Sequence, residues 1–320
     1  MPDSTALARL DRDERYRLRA RALERAHRER QSLARSLEHG SAGSWLWRWL
    51  RGLFARPRPA PLYPGAPLPL PGAGECAITF IGHATTLIRY AHGRVLTDPC
   101  FARSLWGMPR ARAQVVSPGA LEGLDVVLLS HAHADHLHRP SLERLDRQVT
   151  VIVPPGCGKA DALGFARVIE LEPGASFLVS GLEIIAVPAQ HRVGLFGRGR
   201  ALGYVIRGDG PTVYFAGDTG YFPGFLDVGA RFHPDVAILP ISGYRPRALR
   251  TDHLSPLDAL YAFEDLGARL LVPVHHSAFP LGYELLSEPL TWLRSLTSAR
   301  GIVDQVAWLD AGGSCVARRA

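Results

Sequence analysis

Lysine is almost missing from this chain: Lys159 is the single one in 320 residues. The basic charge is therefore arginine. Such Arg and Ala enrichment accompanies GC-rich coding and carries little functional weight by itself. Cysteine is scarce too. Cys76, Cys100, Cys157 and Cys315 are widely scattered and form no CxxC pair, so free thiols in a reducing cytoplasm are expected. No apolar run is long enough to span a bilayer. The first forty residues are studded with charge and do not read as a secretory signal. There is also no G-x-S-x-G elbow to carry a serine nucleophile.

The net charge of +7 invites a nucleic-acid reading, but its location argues against one. Residues 1–58 hold 14 arginines against 7 acidic residues, while 59–320 hold 23 basic and 23 acidic residues. The excess sits in an N-terminal arm, and the rest is neutral by formal count, without interleaved basic and aromatic strands.

The pattern along the chain predicts three regions. Residues 1–56 form an Arg-rich arm. A helix is expected over 4–38, which contains neither Gly nor Pro. It is followed by the aromatic and basic segment Trp45–Phe54. Residues 57–74, dense in Pro and Gly, read as an extended linker. From residue 75 to 320 short apolar runs alternate with turns. Strands are expected at 76–81, 84–90, 93–97, 125–130, 149–153, 182–187, 202–206, 211–216, 235–239, 269–274 and 305–309. Helices are expected at 140–146, 157–163, 256–266 and 284–297. That order suggests an α/β unit with two sheets sandwiched between helices.

The chemistry is concentrated in Ser130-His131-Ala132-His133-Ala134-Asp135-His136-Leu137, which follows the apolar run Asp125–Leu129. A buried strand fixes the start of the loop behind it, which makes a strand end a good place for a site. Three His and one Asp within six residues supply ligands suited to borderline divalent metals. His131 and His133 could reach one ion, and Asp135 and His136, further round the turn, a second.

This HxHxDH motif resembles the hallmark of the metallo-β-lactamase superfamily, and the likeness runs from about Cys76 to the C-terminus. The resemblance implies an αβ/βα four-layer sandwich with a two-metal site between the sheet edges. It also asks for a lone His, a bridging Asp and a final His. His191 after Leu182–Gln190, Asp218 after Tyr214–Gly217 and His275 after Leu270–Val274 stand in that order. By resemblance, His131, His133 and His191 hold the first metal, Asp135, His136 and His275 the second, and Asp218 bridges them. His276 competes with His275 for the last place, or lies behind it.

A narrower likeness is carried by Gly82-His83-Ala84-Thr85, Leu96-Thr97-Asp98-Pro99, Gly217–Tyr221 and Ile241–Arg247. These resemble the N-acyl-phosphatidylethanolamine phospholipase D branch, which adjoins the L-ascorbate-6-phosphate lactonase-like hydrolases. Thr251-Asp252-His253-Leu254-Ser255-Pro256 is similar to that branch's loop with an additional active-site His, which makes His253 a candidate for orienting substrate or stabilising charge. His83 and Asp98 are candidates for holding the ligands from behind, although Asp98-Pro99 also fits a plain turn. The loop His191–Arg200 departs from the phospholipase pattern, as does Ala134, where that branch carries an aromatic residue. Arg192, Arg198 and Arg200 in the loop could clamp a phosphate or remain solvated.

The expected cofactors are two divalent ions, zinc by ligand type, with iron or manganese also compatible. Two ions about 3.5–4 Å apart can share a hydroxide and deliver it to phosphorus or to a carbonyl carbon. The expected activity is that of a phosphodiesterase on a phospholipid-like substrate. A hydrolase of a small soluble lactone or sugar phosphate is the alternative, and a non-catalytic binding protein retaining the fold is less favoured. Trp45, Trp47 and Trp49, with nearby arginines, suggest peripheral contact with the inner face of a membrane. They would serve equally to pack the arm on the body.

Overall fold

A computed structural model describes residues 10–37, 68–115, 119, 121–157, 163–193 and 199–319. The Trp45–Phe54 segment, most of the 57–74 linker, the expected helix over 157–163 for the most part, and the tip of the 191–200 loop with Arg198 lie outside these residues.

Two sheets face each other. The first has seven strands in the order β15-β1-β2-β3-β6-β7-β8: Ser314–Arg318, Glu75–Gly82, Thr85–Arg89, Arg94–Thr97, Val126–Leu128, Thr150–Val153 and Arg167–Glu170. The second has six, β14-β13-β12-β11-β10-β9: Leu270–Val274, Val236–Pro240, Val213–Phe215, Leu202–Arg207, Leu182–Pro188 and Ser176–Val179. A small hairpin, β4 (Ser104–Leu105) with β5 (Met108–Pro109), stands apart.

The central strands read as nearly continuous apolar runs because both their faces are covered. Between the sheets lie Ile78, Phe80, Ile88, Val126, Leu128 and Ile152 from one side, and Ile184, Tyr204, Phe215, Ile238 and Val272 from the other. Alternate residues point outward, as the two-residue period of a strand requires. Thus Ile185, Val205, Tyr214 and Leu239 meet the helices α1 (Arg12–Leu37), α3 (Gly224–Phe232), α4 (Pro256–Leu266) and α5 (Glu288–Ala299) through Leu23, Phe225, Leu260 and Trp292. On the other flank Leu87, Val127 and Val151 pack with Leu142 and Leu145, at and just after the short helix α2 (Arg139–Leu142). The layers are those of the expected αβ/βα sandwich.

Two of the expected elements need correction. Residues 305–309 are not a strand. Gln305 ends a 3-10 turn, only Val306 bridges to Leu271, and Trp308 donates its indole N–H to the Val303 carbonyl. The alternation there reflects a loop tucked against the sheet edge. The helix expected from 284 begins at Glu288, because Glu284 is drawn inward to accept the backbone N–H groups of Gly243 and Arg245. By contrast, α4 spans the expected 256–266. Ser255 caps it, accepting from the Asp258 N–H while Asp258 accepts from the Ser255 N–H, and Gly267 ends it in the left-handed conformation.

Strands β3, β6 and β7 run parallel, as do β12, β13 and β14. Their C-terminal ends release the segments that carry Asp98, residues 130–136, Asp218, Ser242 and His275. No described helix is long and apolar enough to cross a membrane.

Candidate metal centre

The loop after β6 turns tightly. His136 N–H and Leu137 N–H both donate to the His133 carbonyl, which spreads His131, His133, Asp135 and His136 around one bend. Its base is held by Asp98, which accepts the Ser130 N–H at 2.7 Å and the Ser130 hydroxyl at 2.6 Å. Gly217, with φ +60°, lets the β12 end approach: a Cβ there would lie 2.4 Å from Ser130 Cβ. Glycine alone fits, and the next residue is Asp218.

One group of donors is His131, His133 and His191. His133 Nδ1 lies 2.9 Å from His131 Nε2 and 3.1 Å from His191 Nε2. The outer nitrogens are already engaged: His191 Nδ1 donates to the Asp252 carbonyl at 2.8 Å, and His131 Nδ1 meets the Ser130 hydroxyl at 2.9 Å. The network therefore leaves three inward nitrogens with at most one proton among them. Such a cluster of inward lone pairs is suited to a cation.

The second group is Asp135, His136 and His275, with His83 beside it. His136 Nδ1 donates to Asp98 Oδ2 at 2.7 Å, and its Nε2 points inward, 3.1 Å from Asp218 Oδ2 and 3.4 Å from Asp135 Oδ2. His275 Nε2 is 3.2 Å from Asp218 Oδ2 and 3.6 Å from Asp135 Oδ2. His83 Nε2 lies 3.0 Å from Asp135 Oδ2, where it can donate a hydrogen bond that orients the carboxylate. Asp218 lies between the groups, since it also clusters with His131 and with His191 and His253.

A divalent cation fits this set. His136 Nε2, His275 Nε2 and Asp218 Oδ1 are buried polar atoms without a hydrogen-bond partner. Leaving such atoms unpaired is costly, and here the two imidazole nitrogens lie between the Asp135 and Asp218 carboxylates. Ionisation points the same way. Burial opposes charge on Asp135 and Asp218, yet His136 and neighbouring imidazoles outweigh it and hold both carboxyls well below the usual range. Burial presses His275 down, but Asp218 and Asp135 prevail and raise it to about 9. Positive charge is favoured at that point. At the first group burial dominates and lowers His191 to about 4, which keeps the neutral imidazole that coordinates metals.

Backbone strain gathers here as well. His83, Asp98 and His275 all have positive φ, at 60°, 34° and 59°. For residues other than glycine this is uncommon and clusters at functional sites. The His275 N–H donates to the His83 carbonyl and ties two of the strained residues together.

The adjacent His275 and His276 face different ways. His276 turns away: its Nε2 donates to the Pro273 carbonyl, its Nδ1 meets Ser277 Oγ, and its ring stacks on Phe80 at 5.0 Å. His253 stands at the more open rim. Its Nδ1 donates to the Leu249 carbonyl at 3.1 Å, and its Nε2 lies 3.6 Å from Asp218 Oδ2. Arg192 is occupied by Asp252, and Arg200 reaches Glu172. Sequence reasoning assigned no role to Ser130 or Asp252, which buttress His131 and His191. Their adjacency to proposed site residues was the available signal.

Comparison with known proteins agrees with this geometry. Residues 93–276 match the family described as a beta-lactamase superfamily domain. An N-acyl-phosphatidylethanolamine-hydrolyzing phospholipase D of Caenorhabditis elegans is 32% identical over 248 residues, 69% of this chain and 70% of that protein. A metal-dependent hydrolase of Korarchaeum cryptofilum is 30% identical over 239 residues, 74% of this chain and 97% of that one. Among solved structures, a metallo hydrolase from Ignicoccus hospitalis superposes with a TM-score of 0.62 at 22% identity, covering 77% of this chain and 100% of its own. With the match spanning more than half its length and the buried His/Asp groups fitting a cation, this chain belongs to the metallo-β-lactamase superfamily and is a metal-dependent hydrolase.

Proposed function

We propose that this chain is a two-metal phosphodiesterase acting on a phospholipid-like substrate. The observation that carries the reading is the pair of adjoining donor groups with Asp218 between them. His131, His133 and His191 would hold one ion, and Asp135, His136 and His275 the other. Zinc suits these nitrogen and carboxylate donors. When bound, such ions supply an activated water and neutralise charge developing on the phosphoryl oxygens.

The remaining work falls to the chain. Asp98 and Ser130 fix the ring planes of His136 and His131. His83 steadies Asp135. His253 is the rim group, and with Nδ1 donating to the Leu249 carbonyl its Nε2 faces Asp218, on the side where a substrate phosphoryl oxygen would approach. The likeness to a relative that hydrolyses N-acyl-phosphatidylethanolamine supports a lipid phosphodiester. So does α1, where Arg17, Arg21, Arg25 and Arg28 lie exposed at helical spacing along one side. Such a stripe favours an anionic headgroup surface, and Trp45, Trp47 and Trp49 would add interfacial anchors. On this reading 75–320 is the hydrolase unit, and 1–56 an arm joined by the 57–74 linker.

The test is metal analysis joined to hydrolysis of bis(p-nitrophenyl) phosphate and of N-acyl-phosphatidylethanolamine vesicles. About two ions per chain, with turnover of both substrates abolished by Asp135→Ala, is expected. Two ions without any phosphodiester turnover would redirect the assignment to lactones and other carbonyl substrates.

A further inference from the structure

Helix α1 reaches the metal centre without touching it. Glu24 accepts hydrogen bonds from Arg247 through Oε2 and from Arg250 through Oε1, the latter at 3.3 Å. These two arginines flank Leu249 in the 3-10 turn Arg247–Thr251. The Leu249 carbonyl is the acceptor that orients His253. One residue beyond the turn, the Asp252 carbonyl orients His191. Thr251 is pinned as well: its carbonyl accepts Gln190 Nε2–H at 3.0 Å, and Gly220 packs so close that a Cβ would lie 2.2 Å from it.

A second contact from α1 secures the far end of the segment. His27 Nε2 lies 3.0 Å from Ser255 Oγ and 3.5 Å from Asp258 Oδ2, the two residues that cap α4. Arg250 closes the circuit, with Nη2 3.3 Å from Asp258 Oδ1. Residues 247–258 are thus gripped at both ends by side chains of one helix, and the gripped segment carries the carbonyls behind His253 and His191.

We propose that Glu24, assisted by His27, is a positioning residue for the metal centre. Through the turn 247–251 it sets the ring planes of His253 and His191. This rests on the hydrolase reading above and goes beyond it. Glu24 and Arg247 are 223 positions apart in sequence, and Glu24 touches none of the proposed ligands. A carboxylate is suited to the task because its two charged oxygens can each accept from a separate guanidinium group.

The test uses the full chain loaded with Co2+, whose visible spectrum reports ligand geometry without need of turnover. Wild type is compared with Glu24→Ala, the milder Glu24→Gln, and Arg12→Ala. Arg12 ties the start of the same helix to Asp227 and does not reach the turn. The expected result is a shifted Co2+ spectrum and a Co2+ affinity lowered about tenfold in Glu24→Ala. Glu24→Gln should shift the same bands less, and Arg12→Ala should match wild type. On model phosphodiesters kcat should fall for Glu24→Ala while KM changes little. Superimposable spectra for wild type and both Glu24 variants would overturn the proposal, as would an equal shift in Arg12→Ala, which would mean that general docking of α1 is responsible. A wild type that binds Co2+ but cleaves no phosphodiester would count against the substrate assignment alone, because the spectral comparison stands without it.

Discussion

Asp98 Oδ2 lies 2.7 Å from His136 Nδ1, and both side chains are fully buried. The carboxylate also holds the Ser130 hydroxyl and backbone N–H, so one group sets the ring behind the second donor set and the base of the loop bearing both. Outer partners of this kind typically change metal affinity by about 10–100-fold. Asp98→Asn should keep the fold but leave His136 with a weaker, uncharged partner. Competition against a chromophoric chelator should show one ion bound at least about tenfold more weakly. Unchanged affinity at both sites would reduce Asp98 to a turn residue.

His275 and His276 are adjacent yet face opposite ways, and substitution should separate them. His275→Ala removes a donor whose Nε2 points between Asp135 and Asp218. It should cost about one ion per chain, together with activity. His276→Gln loses a ring stacked on Phe80 and should retain the full metal complement and most activity. Elemental analysis of both variants decides, and the reverse pattern would reassign the last ligand to His276.

The candidate site was legible because its potential ligands are compressed. Four potential donors occupy six residues, and each of the others ends an apolar run. α4 was legible because its apolar stretch lies between Pro256 and Gly267. α3 was not, because Pro223, Gly224 and Gly229 read as breakers although the helix accommodates them. Strands β8, β9 and β15 escaped notice because they are short and part-exposed and show no strong alternation. In α1 the apolar period was loose for a definite reason. The face turned to the body includes Tyr16, Arg19, Leu23 and His27, while Leu18 points outward. Arg19 and His27 are buried against Asp265 and Asp258, and partners more than two hundred residues away leave no local pattern.

His276 also predicts a pH effect on stability. Burial lowers its pKa to about 4, against some help from the Pro273 carbonyl. An unfolded chain takes up that proton near 6.5. Below this value the unfolded state binds more protons, so the contribution of His276 is complete above about pH 6.5 and is lost as pH falls toward 4. The loss amounts to at most about 3 kcal/mol. Urea midpoints of chelator-treated wild type and His276→Gln should therefore diverge between pH 7.5 and pH 5, with wild type showing the steeper decline. Parallel profiles would place the acid sensitivity elsewhere.

Gly217 predicts how tightly the two sheets must close on the site. Its φ of +60° and the 2.4 Å gap its Cβ would leave to Ser130 Cβ mean that alanine is strained twice, in its own backbone and against the loop base. The backbone penalty is of order 1 kcal/mol, and the clash must push either Ser130 or the β12 end aside. Ser130 is held by Asp98, so the strand end carrying Asp218 is the part that moves. Gly217→Ala should lower Tm by several degrees, as a cost of about 1–3 kcal/mol implies. It should also weaken both ions together, because Asp218 sits between the two donor groups. Glycine's neighbour Ala216 is a fair control. It is fully buried in the packing between the second sheet and its helices, and Ala216→Gly should lower stability while leaving metal affinity at its wild-type value. A Gly217→Ala variant that bound both ions as wild type does would show that Asp218 tolerates displacement, and would remove the argument that it bridges.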